Sequence, residues 1–407
     1  MSPSFEDAFH RLRIYCEKED FAGWDPYDGL NSKVFQALPF FKHSALCRLV
    51  VIQGFKRSPV NLRRIALVPK EHNAKGIALF LSGYCNLYHA IRKGMNLEIS
   101  PEDCLEKIHS LVRLLLSLKS KGYSGACWGY NFDWQSKAFF LPRYTPTIVA
   151  TSFVVEALLS AYEITKCEEY LSTALSATKF ILLDLNRISK EKGYMFSYSP
   201  LDCQAVYNAS LLGTKTLSLA YYYTNDEKLK IAAYNSAQAV CNKQNPDGSF
   251  PHSDQVGNKW RDNFHTAFKL ESLCFYQRYC NDNTFNINLK SGYHYWIEKF
   301  FIKERGIAKY YDTSNENSLI DLHCVAQTIP TLYKLGELEA QKELTVKILD
   351  YAINSMQEKK QGYFYFQKGD KIMNKIPYMR WPNAWMFYGL SYFILFDSNH
   401  DKTSQFH

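Results

Sequence analysis

The 407-residue sequence has no GxxxxGK[ST] phosphate loop, no GxSxG turn, no HExxH pair and no aspartate-rich acid motif. These absences weigh against nucleotide, ester and terpene chemistry. Its 11 cysteines are odd in number, widely spread and free of any CxxC pair, so a secreted disulfide framework is not expected. The start, Met1 to Asp7, lacks a basic segment followed by an apolar run, as a leader peptide would require. The longest apolar stretch, Trp385 to Phe396, is too short to span a bilayer. Together these features predict a cytoplasmic protein without membrane insertion. The formal net charge is +8, but Lys and Arg are scattered, so no nucleic-acid stripe is expected. The positive balance is compatible with an acidic ligand.

Aromatic residues, by contrast, are abundant: 29 Tyr, 27 Phe and 7 Trp. Their first use is to fill a core, and their second is to stack on flat ligand faces. Six segments mix small residues with aromatics and carry few charges: Ile77–Arg92, Pro146–Glu163, Ala205–Tyr223, Asn263–Tyr279, Leu319–Leu335 and Trp381–Phe396. Their starts are separated by 69, 59, 58, 56 and 62 residues, a period that marks repeated supersecondary units. Between them lie helices with a polar face, Pro101–Leu118, Glu168–Leu185, Asp226–Asn242, Phe285–Lys299 and Leu338–Met356. A helix apolar all round belongs inside and an amphipathic one outside. The pattern predicts an all-α, (α/α)6 toroid of six helical hairpins, one domain over residues 1–407, in which N-terminal helices within residues 1–60 close the ring. The sixth outer helix comes from either Phe5–Glu19 or Val34–Phe55. Inner-to-outer turns such as Lys166-Cys167 and Asn225-Asp226 are short. The outer-to-inner connections, at Gly122, Gly193, Gly248, Gly306 and Gly362, are long, rich in aromatics and suited to short β-hairpins at one rim. Long loops at one end of a rigid scaffold are where function is placed.

The segment Gln244-Asn245-Pro246-Asp247-Gly248-Ser249-Phe250 resembles the glutamine–glycine–aromatic turn of α/α-toroid proteins such as terpenoid cyclases and six-hairpin glycosidases. Four further segments, Trp24 to Asn31, Cys127 to Gln135, Asp262 to Thr266 and Arg380 to Trp385, resemble toroid proteins of exopolysaccharide and capsule clusters, labelled polysaccharide biosynthesis proteins. That group is distantly similar to the C-terminal domain of D-glucuronyl C5-epimerases. The resemblance implies a role in making or tailoring a surface polysaccharide, without fixing one reaction.

Candidate chemistry gathers at the inner-helix starts. Asp262 caps one such helix, and His265 follows one turn later, where a histidine can act as acid or base. Asp133 lies between Phe132 and Trp134, a setting that can raise a carboxyl pKa into the acid-catalyst range. Asp133, Asp262 and His265 are therefore the candidates for proton transfer, on a glycosidic bond or at a uronate C5 position. Trp134, Trp260 and Trp381 are placed to stack on sugars, and Arg143, Arg261 and Arg380 to hold anionic groups. Tyr207, with Tyr198 and Asn208 nearby, and the pair Asp321 and His323 occupy equivalent rim positions. Asp321-Leu322-His323-Cys324 offers too few convergent ligands for zinc, so neither a metal nor a cofactor is expected. The expected partner is an oligo- or polysaccharide, and the net charge of +8 is compatible with an acidic one. A competing expectation is a non-catalytic glycan-binding or scaffold protein using the same cleft. Among enzymes, the alternative is a prenyltransferase-like toroid. The same residues also have structural uses: Asp262 and Asp321 as helix caps, the arginines as loop ties, and Trp24 to Gly29 as a structural link rather than a lid.

Overall fold

The computed structural model describes residues 3–136, 139–254, 260–313 and 319–399. Its helices are α1 (Pro3–Lys18), α2 (Lys33–Gln36), α3 (Pro39–His43), α4 (Ala45–Arg57), α5 (Ala74–Arg92), α6 (Pro101–Ser117), α7 (Ile148–Thr165), α8 (Glu168–Lys179), α9 (Tyr207–Thr224), α10 (Glu227–Cys241), α11 (Asn263–Cys280), α12 (Asn286–Lys299), α13 (Leu322–Leu335), α14 (Lys342–Met356) and α15 (Ala384–Asp397). Helices α5, α7, α9, α11, α13 and α15 pack each against the next, and α15 returns to α5. They form a closed inner ring, as the apolar periodicity predicts. All but a few of their side chains are buried. The outer helices α6, α8, α10, α12 and α14 bury one face, because only that face meets the inner ring.

The inner-to-outer turns are tight because the residue ending the inner helix takes a left-handed conformation: Lys166, Asn225 and Asn281 have φ of 55°, 54° and 49°. The outer-to-inner connections carry two-stranded hairpins in three cases: Trp134–Gln135 with Phe140–Leu141, Arg187–Ser189 with Tyr194–Phe196, and Phe301–Ile302 with Ile307–Ala308. A three-stranded piece joins Ile320–Asp321, Gln367–Lys368 and Met373–Asn374. The segment at Gly248 is a turn rather than a hairpin.

Four glycines of these connections have a shared task. A Cβ on Gly193, Gly248 or Gly306 would come within 2.1 Å of Asn235 O, 2.3 Å of Ser291 O and 2.4 Å of Lys347 O, each a carbonyl of the next outer helix. Gly362 makes the same approach to Arg11 O of α1, at 2.5 Å. Glutamines repeat the pattern: Gln244 Nε2 donates to Asn288 O of α12 at 2.9 Å, and Gln357 Nε2 donates to Ala8 O of α1 at 2.7 Å. Helix α1 is thus the sixth outer helix. It also packs on α15 through Phe9 and Phe387, 4.9 Å between centroids, and its Glu17 accepts from the Tyr84 hydroxyl of α5 at 2.5 Å. Of the two candidate closing segments, Phe5–Glu19 takes the position. Val34–Phe55 instead forms α2 to α4, which lie over the rim and leave Val34, Phe40, Leu46 and Val50 exposed. Replacing Gly362 by alanine is expected to cost about 1–3 kcal/mol, because the methyl meets backbone that cannot yield and φ is +85°. Gly122, at φ +87° with nothing within 4 Å of the added Cβ, is expected to cost about 1 kcal/mol or less. Denaturant midpoints of the two variants check the difference.

Below the rim, the ring axis is closed by charge. The ninth residues of α7, α9 and α11 are Glu156, Lys215 and Glu271, about 12 Å along each helix. Lys334 of α13 bonds Glu156 at 2.7 Å, Glu271 at 3.0 Å and the Tyr388 hydroxyl of α15 at 2.7 Å. Lys215 lies 2.5 Å from Glu156 and 3.5 Å from Glu271. Gln327 and Thr331 satisfy the remaining Glu271 oxygen. Two carboxylates and two ammoniums therefore tie five of the six inner helices together.

Candidate active site

A cavity of about 480 Å³ opens above this plug, at the end where the inner helices begin. Lys75, Val149, Asn208, Phe264 and His323, the second residues of α5, α7, α9, α11 and α13, line it. Arg380 and Trp381, in the turn of π-helix (Met379–Asn383) leading into α15, complete the ring. The N-terminal extension covers part of the mouth: Gln53 and Lys56 of α4 reach the cavity, and Lys56 Nζ donates to the Tyr27 hydroxyl at 2.8 Å.

The best-organised polar group is built from Asp262 and His265. Asp262 caps α11, its Oδ1 accepting from the His265 backbone N–H at 2.8 Å. Its other oxygen lies 2.6 Å from His265 Nδ1. A carboxylate oxygen accepts, so Nδ1 carries the hydrogen, and in the neutral imidazole Nε2 keeps a lone pair. Asp262 is fully buried and does not reach the cavity, while His265 does. The cap and the orienting group are one side chain, which makes the imidazole orientation a consequence of where the helix starts.

Two more histidines line the cavity. His252 stacks on Trp260 with centroids 4.0 Å apart, and its ring lies 5.2 Å from that of His265. Burial, then the neighbouring His265 and Lys269, push its pKa far down, so it stays neutral. His323 is buried between Phe264 and Trp385, with centroids at 4.1 and 4.0 Å. Neither of its ring nitrogens has a hydrogen-bond partner among the described residues, and burial, with Lys75 nearby, holds its pKa well below the usual value. Trp134, Trp260, Trp381, Tyr130 and Tyr198 supply aromatic walls, and the two tyrosine hydroxyls bond each other at 2.8 Å.

Several candidates do not reach the cavity. Asp133 accepts from the Arg143 backbone N–H at 2.8 Å and pins its own loop. Arg143 pairs with Glu71 at 3.0 Å. Arg261 pairs with Asp312. Tyr207 donates to Asp254. Asp321 caps α13 and accepts from Trp381 Nε1 at 2.9 Å and Gln367 Nε2 at 2.7 Å. Burial raises the Asp321 pKa to about 6. Arg380 does line the cavity, but its guanidinium is held bidentately by Asp25 at 2.5 and 2.8 Å. Asp25 and Asp28, which bonds Arg63 at 2.7 Å, make Trp24 to Gly29 a structural link. Each candidate arginine thus already has a carboxylate, because rim loops need ties as much as ligands do. Among the described residues no Asp or Glu lines the cavity, and no cluster of His, Cys, Asp or Glu fits a metal.

Sequence reasoning missed His252 and Lys75. The first inner helix begins at Ala74, three residues before the expected Ile77, and this puts Lys75 in the equivalent of the His323 position. The capping Asn73, which accepts from the N–H groups of Lys75 and Gly76 at 3.1 and 3.4 Å, is the signal that locates it.

No protein-family profile matches the sequence, and no curated protein matches it. Solved structures do. A cellobiose 2-epimerase from Bacillus thermoamylovorans B4167 superposes with TM-score 0.58 and 16% identity over 79% of this chain and 87% of its own. A GH76 α-mannanase from Bacteroides thetaiotaomicron gives TM-score 0.58 and 14% identity over 82% and 88%. An unsaturated glucuronyl hydrolase from Streptococcus agalactiae gives 0.58 and 12% over 96% and 91%. At these identities the likeness is one of fold, and the chain has the (α/α)6 toroid architecture shared by these proteins.

Proposed function

We propose that the protein is a carbohydrate-active enzyme that moves a proton at a sugar carbon next to a carbonyl or carboxylate, an epimerase or isomerase. The carrying observation is the Asp262–His265 pair in a cavity whose described lining has histidines and aromatics but no carboxylate. Glycoside hydrolysis uses two carboxylates flanking the scissile bond, and the two offered by the sequence lie outside the cavity. His265, with Nδ1 held by Asp262, acts as base through Nε2. The His265 imidazolium so formed returns the proton, while His252, neutral and 5.2 Å away between ring centroids, stands beside it as a second acceptor. Return to the opposite face of the carbon gives an epimer, and return to the neighbouring carbon gives an isomer. Trp134, Trp260 and Trp381 form the walls against which a sugar ring stacks.

The fold neighbours support a carbohydrate reading, since their names include an epimerase, an α-mannanase and a glucuronyl hydrolase. The resemblance of Trp24 to Asn31, Cys127 to Gln135, Asp262 to Thr266 and Arg380 to Trp385 to capsule-cluster proteins supports a place in surface polysaccharide synthesis. The test is incubation in D2O with neutral and acidic mono- and disaccharides, read by NMR and mass spectrometry. Deuterium at a carbon adjacent to a carbonyl or carboxylate, without chain cleavage, is the expected result. Cleavage products, or binding without exchange for every sugar, would overturn the proposal.

A further inference from the structure

Four lysines are buried in the described structure: Lys75, Lys215, Lys269 and Lys334. Three have polar partners. Lys215 and Lys334 share Glu156 and Glu271, and Lys269 donates to the carbonyls of Phe250 and Pro251 at 3.3 and 3.2 Å. Lys75 is 4% exposed, and among the described residues its Nζ meets only aromatic faces, those of Phe153, Phe268 and Trp385 at 4.3, 5.1 and 5.2 Å to the centroids. Cation–π contacts of this kind recover part of a lost hydration shell but supply no counter-charge. Asp25, the carboxylate that acts most on it, is engaged bidentately by Arg380.

Three further features point the same way. Lys75 faces the cavity. The inner helices all begin at this end, so their positive dipole ends converge on it. Beside Lys75 stands His323, fully buried with both ring nitrogens unpartnered among the described residues. Burial, then Arg380, lowers the Lys75 pKa well below that of a free lysine, which is the signature of a cation lacking its anion.

We propose that Lys75 is a receptor for one anionic group of the substrate, the carboxylate of a uronic acid unit seated at the cavity floor. This rests on the reading of the cavity as a sugar site. One ammonium matches one carboxylate charge, and His323 is placed to donate the second hydrogen bond. The carboxylate then takes the place that Glu156 and Glu271 hold for Lys215 and Lys334. Lys75 selects among sugars and His265 reacts with them, so the two roles separate by substitution.

The experiment is calorimetric titration of D-glucuronate, D-glucose and D-glucose 6-phosphate into the wild-type chain, Lys75→Met and His265→Asn. The wild type is expected to bind glucuronate at least ten-fold more tightly than glucose. Lys75→Met is expected to abolish that preference, and His265→Asn to keep it. Lys75→Met is also expected to melt at a higher temperature than the unliganded wild type, because an uncompensated buried charge is removed, which shows that the variant folds. An equal or weaker affinity for glucuronate than for glucose in the wild type, or a preference that survives in a folded Lys75→Met, overturns the proposal. A stronger preference for the phosphate ester overturns the carboxylate assignment. Deuterium exchange that persists in His265→Asn sinks the proton-transfer reading and leaves Lys75 untouched.

Discussion

His265→Asn is expected to lower turnover by about 10²–10⁴-fold, the usual contribution of a positioned acid or base, while the melting temperature stays close to wild type. Asparagine keeps a polar side chain at the cavity wall but has no lone pair at the Nε2 position. The helix start does not depend on the imidazole, because Asp262 accepts from the backbone N–H of residue 265. Asp262→Asn is the sharper companion. Asparagine is as good a cap as aspartate, so α11 is expected to persist. Its amide offers hydrogens as well as an oxygen, so it no longer dictates which nitrogen of His265 is protonated. Turnover is expected to fall here too, with substrate affinity little changed, because the loss is in the base and not in the walls. Steady-state kinetics and thermal melts of both variants check this. An inactive Asp262→Asn that is also unfolded would assign Asp262 to the fold, and an active His265→Asn would remove the proposed base.

The largest expected effect on stability is in the charged plug. Lys334→Met leaves Glu156 and Glu271 facing each other with Lys215 alone to balance them. Breaking a buried ion pair in this way is expected to cost about 3–5 kcal/mol, read as a lower denaturant midpoint. Glu271→Gln removes one partner of both lysines and is expected to cost a similar amount. Replacing Glu271 and Lys334 together with apolar residues of similar volume is expected to recover much of the loss. The plug also predicts a pH dependence. Burial alone would raise the Glu156 pKa, but Lys215 and Lys334 outweigh it and hold it at about 2, against 4.5 for a free glutamate. A carboxyl whose folded pKa is depressed contributes stability that is fully present above its unfolded value. That stability is therefore lost as pH falls from about 4.5 towards about 2. Midpoints measured between pH 5 and pH 2 are expected to fall more steeply for wild type than for Glu156→Gln.

The repeat of helix pairs was legible because burial is periodic. An inner helix surrounded by neighbours must be apolar on most sides, and α7 and α15 declare this in their composition alone. The connecting glycines were legible as a pattern as well, although their purpose was not. That Gly362 touches Arg11 O follows only once the last loop is brought beside the first helix. The segment 34–55 misled because apolar content does not say where a helix packs, and this one lies over the rim with much of its apolar surface exposed. Charges in the inner helices were equally opaque. Glu156, Lys215, Glu271 and Lys334 read singly as polar interruptions, and only the ring brings them into contact.

The candidate site divides along the same line. Asp262 and His265 are three residues apart on one helix, so their contact is set by helix geometry and could be read directly from the sequence. Asp133, Arg143, Arg261 and Arg380 depended on partners 10 to 355 residues away, and those partners drew them into loop ties. Lys75 shows the converse, since its importance lies in the lack of a polar partner where Lys215 and Lys334 have carboxylates and Lys269 has backbone carbonyls. Sequence alone determines the periodic helices, their caps and the local Asp262–His265 pair, because these rest on interactions within a few residues. Tertiary structure decides which charges are neutralised and which remain open to a ligand, because a charge is compensated through space, by whatever the closed ring places beside it.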